Sequence, residues 1–117
     1  MKAQRGDLVA LVRITREYVI RQETTERTSV ELAIVANITR EGVVRKVRRI
    51  DAESISETAY EPSGNDQVLV ISAAQVDGPA LVEAYQQHRW ESAPYPSVRP
   101  FDSLSDARAF VARFRRA

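Results

Sequence analysis

A chain of 117 residues, 44% apolar and 28% charged, is long enough to bury one self-supporting core and too apolar for general disorder. It contains no cysteine, which excludes disulfides, thiolate metal sites and cysteine nucleophiles. The formal net charge of +1 hides a segregation: residues 1–50 carry eleven Lys/Arg against six Asp/Glu, residues 51–100 two against eight, and residues 101–117 four against two. Folding either neutralises the basic and acidic segments against each other or leaves two faces of opposite sign.

The opening "MKAQRGDLVALVRITREY" holds a short apolar run cut by Arg13 and Arg16, too short and too charged for a signal peptide or a membrane span. A soluble, cytoplasmic protein is expected. Residues 7–22 alternate with period two: Leu8, Ala10, Val12, Ile14, Tyr18 and Ile20 on one side, with Val9 and Leu11 adding apolar positions on the other. This predicts a strand buried on both faces at its start and wet on one face further on. Its length predicts a bend or bulge around Thr15–Glu17.

The polar stretch "QETTERTS" at 22–29 reads as the tip of a long hairpin, and Val30, Leu32, Ile34, Ala36 and Ile38 alternate as its return strand. "TREGV" at 39–43 closes a second hairpin, with Gly42 at a left-handed position, onto a third strand over 43–50. Val43, Val44, Val47 and Ile50 also fit one face of a helix, but so short and β-branched a segment makes a poor helix.

Residues 51–66 are acidic and poor in apolar anchors; they read as a loop, with one helical turn at 52–57, ending in the turn signal "EPSGND". "QVLVIS" at 67–72 is a compact buried strand. A helix then starts at Asp77–Gly78 with Pro79 in its first turn and an apolar stripe of Leu81, Val82, Tyr85 and Trp90. Residues 91–100 hold three of the five prolines and form an extended connector. The last helix is capped by Ser103 and faces the core with Leu104, Ala107, Phe110, Val111 and Phe114. The order defines an α+β protein in one domain over residues 1–117: a curved antiparallel sheet or partly open small barrel of about four strands, with two helices packed on it, covering one face or one end.

Signatures of catalysis are missing. The single histidine, His88, reads as a surface residue favoured by the end of its helix. No GxSxG elbow, EF-hand or HExxH spacing occurs, and Gly6, Gly42, Gly64 and Gly78 are isolated, so no loop cradles a phosphate. Glu53 and Glu57 in "ESISE" read as solvated carboxylates. No catalytic residue, cofactor, metal or small-molecule substrate is expected.

Two binding readings remain. For nucleic acid, the candidates are Arg16, Arg21, Arg27, Arg45, Lys46, Arg48 and Arg49 on the basic hairpins. In a regular third strand Arg45 and Arg49 face one way and Lys46 and Arg48 the other, unless a bulge gathers them; otherwise they pair with the acidic 51–66 segment. Glu17, Glu23, Glu26 and Glu31 on the long hairpin oppose phosphate. For protein contacts, a partner or a homodimer, the candidates are Trp90, Tyr95 and Arg99, types enriched in binding hot spots. The competing reading is that Trp90, Tyr95 and Phe101 pin the connector to the core. The expected function is that of a non-enzymatic binding or adaptor domain acting through protein contacts, with nucleic-acid binding as the alternative.

The segments "GDLVALVRITREYVI", "ELAIVANITREGVVRKVR" and "FDSLSDARAFV" together resemble a group of small uncharacterised actinobacterial proteins of plasmids, integrated elements or phages. The resemblance implies an accessory role in a mobile element and carries no activity or functional residue with it.

Overall fold

The computed structural model describes residues 2–19, 23–95 and 97–116, with the backbone alone for 17–19 and 23–24. Five strands, β1 (Leu8–Val19), β2 (Glu23–Ile38), β3 (Val44–Ile50), β4 (Ile55–Tyr60) and β5 (Asp66–Ile71), form one antiparallel sheet in the order β4-β3-β2-β1-β5. A short 3-10 turn (Ala73–Gln75) leads to α1 (Gly78–Ser92), and α2 (Leu104–Ala112) follows the connector. The sheet is open and curved, an α+β architecture as the pattern implied.

The alternation in β1 and β2 explains the layering. Leu8, Ala10 and Val12, with Val30 and Leu32 of β2 and Ile50 of β3, form the face that receives Leu81 and Tyr85 of α1, Phe101, and Ala107, Phe110 and Val111 of α2. The other face buries Val9, Leu11, Ala33, Val35 and Val47 without any helical residue; Tyr60 and Val68, from the two outer strands, pack against this cluster. Both faces of the sheet therefore bury apolar side chains near the start of β1, which is why both parities there are apolar. Full burial of each such Leu, Ile or Val contributes about 1.5–3 kcal/mol.

Local signals set the ends. Asp77 Oδ1 accepts the Ala80 amide at 3.3 Å, and Ser103 Oγ accepts the Asp106 amide at 3.1 Å, so both helices carry side-chain N-caps. Gly42 sits at φ +81° in the β2–β3 turn, where Thr39 N donates to Val43 O.

Several expectations are corrected. Residues 55–60 are strand, not loop or helical turn, so the sheet has five strands rather than about four. The segment works as an edge strand: its pairing with β3 is irregular between Arg48 and Ile50, and most of its side chains meet solvent, so it needs few apolar residues. Strand β2 begins at Glu23, so most of "QETTERTS" belongs to the ladder and not to the tip. The register from Leu8↔Ile34 to Val19↔Glu23 is unbroken, so there is no bulge around Thr15–Glu17. The irregularity lies instead between β2 and β3, on either side of the Asn37↔Lys46 pair. Trp90 leaves the stripe of α1; Arg89 takes the place in line with Leu81 and Tyr85. His88 is half-buried, stacked on Phe101 at 5.1 Å with Nε2 3.4 Å from Pro100 O, rather than on the surface.

Candidate functional site

Beyond Arg13 the hairpin of β1 and β2 becomes a two-stranded arm. The β5 register ends at Arg13↔Asp66, and the β3 register reaches only Ala33↔Arg49. The connector adds a single bridge, Val30↔Phe101. From there to Val19↔Glu23 neither edge has a neighbour among the described residues, over about 20 Å at a strand's rise of roughly 3.3 Å per residue. Ile14, Thr15, Arg16, Thr25, Glu26 and Arg27 are exposed on it. Arg16 Nε lies 3.2 Å from Glu26 Oε1 in the directly opposed pair, so this candidate cation is matched by a carboxylate. Arg21 lies outside the described residues.

The far end of β2 is basic. The N-terminal segment runs beside the β2–β3 turn, with Ala3 N donating to Gly42 O and Gly6 N to Val35 O, which brings Lys2 and Arg5 alongside Arg40, Arg45 and Lys46. None of these five cations has an ion pair among the described residues. The bulge in β3 settles the direction of its cations. Val44 and Val47 pack on the same cluster although three residues apart, so Arg45 and Arg48 share the opposite face, where both are exposed. Arg49 turns to the Val47 side. The regular-strand expectation, Arg45 with Arg49, is thus corrected, and so is pairing with the acidic segment: Arg49 meets Glu31 of β2.

The three protein-contact candidates separate. Trp90 is 56% exposed and Tyr95 70%, on the last turn of α1 and on the connector, with Val98 also exposed; only Phe101 of the aromatic trio pins the connector. Arg99 points inward, its Nη1 donating to Leu11 O at 2.9 Å and its Nη2 to Asp66 Oδ2 at 3.0 Å.

That inward turn completes a polar chamber at the base of the arm. Glu31, buried on β2, has Arg89 Nη2 at 3.4 Å, Arg99 Nη2 at 3.4 Å, Arg49 Nε at 3.8 Å and the Tyr60 hydroxyl at 3.4 Å. Arg89 is fully buried and also donates to the carbonyls of Ile50, Ala93 and Val98. Asp66 takes Arg13 in a two-point grip at 3.1 and 3.2 Å and Arg99 on its second oxygen. The Arg49 guanidinium lies 5.3 Å from the centre of the Tyr60 ring. Burial raises the Tyr60 hydroxyl above its ordinary pKa, the Glu31 charge adds to this, and Arg49 and Arg99 pull the other way. A cavity of about 400 Å³ opens onto this group. Sequence reasoning named Arg49 and Arg99 for different partners and missed Arg13, Glu31, Asp66 and Arg89 as a unit. For Arg89 a signal existed, since 81, 85 and 89 recur at four-residue helical spacing.

Among the described residues no group of three or more His, Asp or Glu side chains is placed to hold a metal ion. None of the described helices is long and apolar enough to cross a membrane. Comparison with family models, with curated proteins and with solved structures gives no match for this chain.

Proposed function

We propose that the protein is a non-enzymatic binding domain that engages a protein partner, or a second copy of itself, through the β1–β2 arm and the neighbouring exposed aromatics. The arm carries the argument. An isolated two-stranded ribbon is marginal in water and gains stability from a third strand or a packed face. Here, among the described residues, both edges are open beyond the Val30↔Phe101 bridge, and Ile14 stands exposed on the arm. The Arg16–Glu26 pair matches one cation of the arm with a carboxylate, which suits a polar protein rim. A cytoplasmic setting and an accessory role in a mobile element belong to the same proposal, the first supported by the lack of cysteine.

The test is light scattering over a range of concentrations together with partner capture, comparing the unaltered chain with Ile14→Asp, Trp90→Ala and Tyr95→Ala. The expected result is a dimer or a captured protein that Ile14→Asp releases. A monomer that captures nothing, or association indifferent to all three substitutions, counts against the proposal.

A second reading rests on the basic end: Lys2, Arg5, Arg40, Arg45 and Lys46 carry no ion pair among the described residues, nor does Arg48. Phosphate binding there gives an affinity falling steeply with salt. Arg45→Glu with Lys46→Glu flattens the log–log slope by about 2, near 0.9 for each phosphate that is no longer neutralised. Titration with duplex and single-stranded DNA and RNA at two salt concentrations decides it; no binding at low salt removes this reading.

A further inference from the structure

We propose that the chamber at the base of the arm is a binding site for a small oxyanion, a phosphate or carboxylate group, held by Arg49 and Arg13. Charge is the first reason. Four guanidiniums, Arg13, Arg49, Arg89 and Arg99, converge on two carboxylates, Glu31 and Asp66, so the inner cluster carries two positive charges in excess. Glu61, exposed at the rim, offsets this only through solvent. Positive charge in a cleft with low-dielectric walls concentrates anions.

Unmet hydrogen bonding is the second reason. Arg49 Nε is buried and has no acceptor, since Glu31 Oε2 at 3.8 Å is beyond hydrogen-bond reach. Arg13 spends Nε and Nη2 on Asp66, and Nη1 has no acceptor among the described residues. A buried donor such as Arg49 Nε is ordinarily satisfied. Arg13, its side chain 40% exposed, adds a fork that a ligand can reach from solvent, and guanidinium forks match the geometry of carboxylate and phosphate. Ser63 and Ser97 also line the cavity, and their hydroxyls can donate; the Tyr60 hydroxyl donates to Glu31.

The same cavity is unsuited to a cation. Each oxygen of Glu31 and Asp66 already faces an arginine, and a metal would have to displace those contacts. At about 400 Å³ the space exceeds a bare ion and admits the oxyanion of a larger molecule.

The experiment is calorimetric and thermal-shift titration of the whole chain with inorganic phosphate, phenyl phosphate and benzoate, at ionic strength held constant with chloride. Saturable binding of at least one of them, beyond any effect of chloride, is expected, and the tighter of the phosphate and carboxylate arms identifies the source of the oxyanion. Arg49→Gln should weaken that binding at least tenfold, and Glu61→Gln, by removing the rim carboxylate, should strengthen it. If Arg49→Gln fails to fold, Ser97→Glu at the exposed rim gives the same reading, with binding abolished and the melting temperature in chloride unchanged. No saturable binding by any probe, equal affinity in the Arg49 or Ser97 variant, or weaker binding in Glu61→Gln overturns the proposal.

Discussion

Arg89 of α1 and Glu31 of β2 meet at 3.4 Å with their side chains only 1% and 3% exposed, joining the helical layer to the sheet through a buried charge pair. The pair is not an isolated bridge. Arg89 closes three backbone carbonyls as well, at the end of β3, at the end of α1 and on the connector, so one side chain ties four segments together. Taking one partner away leaves buried polar groups without compensation.

Arg89→Ala is therefore expected to cost about 3–5 kcal/mol of unfolding free energy. Arg89→Lys should recover little, since an ammonium cannot reproduce the planar fork that reaches acceptors in several directions. Urea denaturation at neutral pH measures both, and a loss below about 1 kcal/mol for the alanine variant would show that the cluster contributes little to stability.

Tyr85 gives a pH prediction. Its hydroxyl accepts the Leu32 amide at 3.1 Å inside the core, and burial pushes its pKa from 10.0 up to about 12. The folded state then holds the phenolic proton more tightly than the unfolded state. The corresponding stability is complete below about pH 10 and is lost as pH rises through about 12, at up to roughly 1.4 kcal/mol per pH unit. Tyr60 shifts in the same direction. Denaturation midpoints across pH 9–11 should fall with rising pH. Tyr85→Phe should flatten the fall while costing about 1–3 kcal/mol at neutral pH for the unpaired Leu32 amide.

The β2–β3 turn needs its glycine. At φ +81° a side chain is strained, and a Cβ on Gly42 would lie 2.7 Å from Lys2 Cβ. Gly42→Ala should destabilise by about 1–2 kcal/mol. Gly78→Ala, at the start of α1 with no atom near the added carbon, should be neutral or stabilising by up to about 1 kcal/mol. Equal melting temperatures for the two variants would contradict the turn geometry.

Ser103→Ala and Asp77→Ala each remove a single cap bond to a helix N-terminus and should each cost about 1 kcal/mol, additively, because the caps serve different helices. A double-mutant cycle checks this; a coupling above about 0.5 kcal/mol would mean that the two helix starts are linked.

Strong local periodicity made much of this readable in advance. The alternation of β1 and β2, the Gly42 turn, the apolar run of β5, the Asp77–Pro79 helix start and the Ser103 cap are local signals, and they placed four strands and both helices. What stayed hidden depends on register and long-range meeting. "ISETAY" forms β4 with little apolar content because an edge strand is supported by one neighbour only. Trp90 is large and apolar yet exposed, while Arg89 one residue earlier is sealed, since helix phase and not hydrophobicity decides which faces the sheet. Glu31 gathers arginines from positions 49, 89 and 99, which no spacing rule connects.

The pairing of β5 with β1 spans more than fifty residues, and the last counter-charges of Glu31 arrive later still, with Arg89 and Arg99. A chain emerging during synthesis can zip β1 to β4 as a meander of adjacent strands, but it cannot dehydrate Glu31 until residues 89–99 have been made. Closure of the long loop is entropically slow. Two of the three arginines that surround the carboxylate thus come from the last third of the chain, so its burial is completed only by the docking of α1 and the connector.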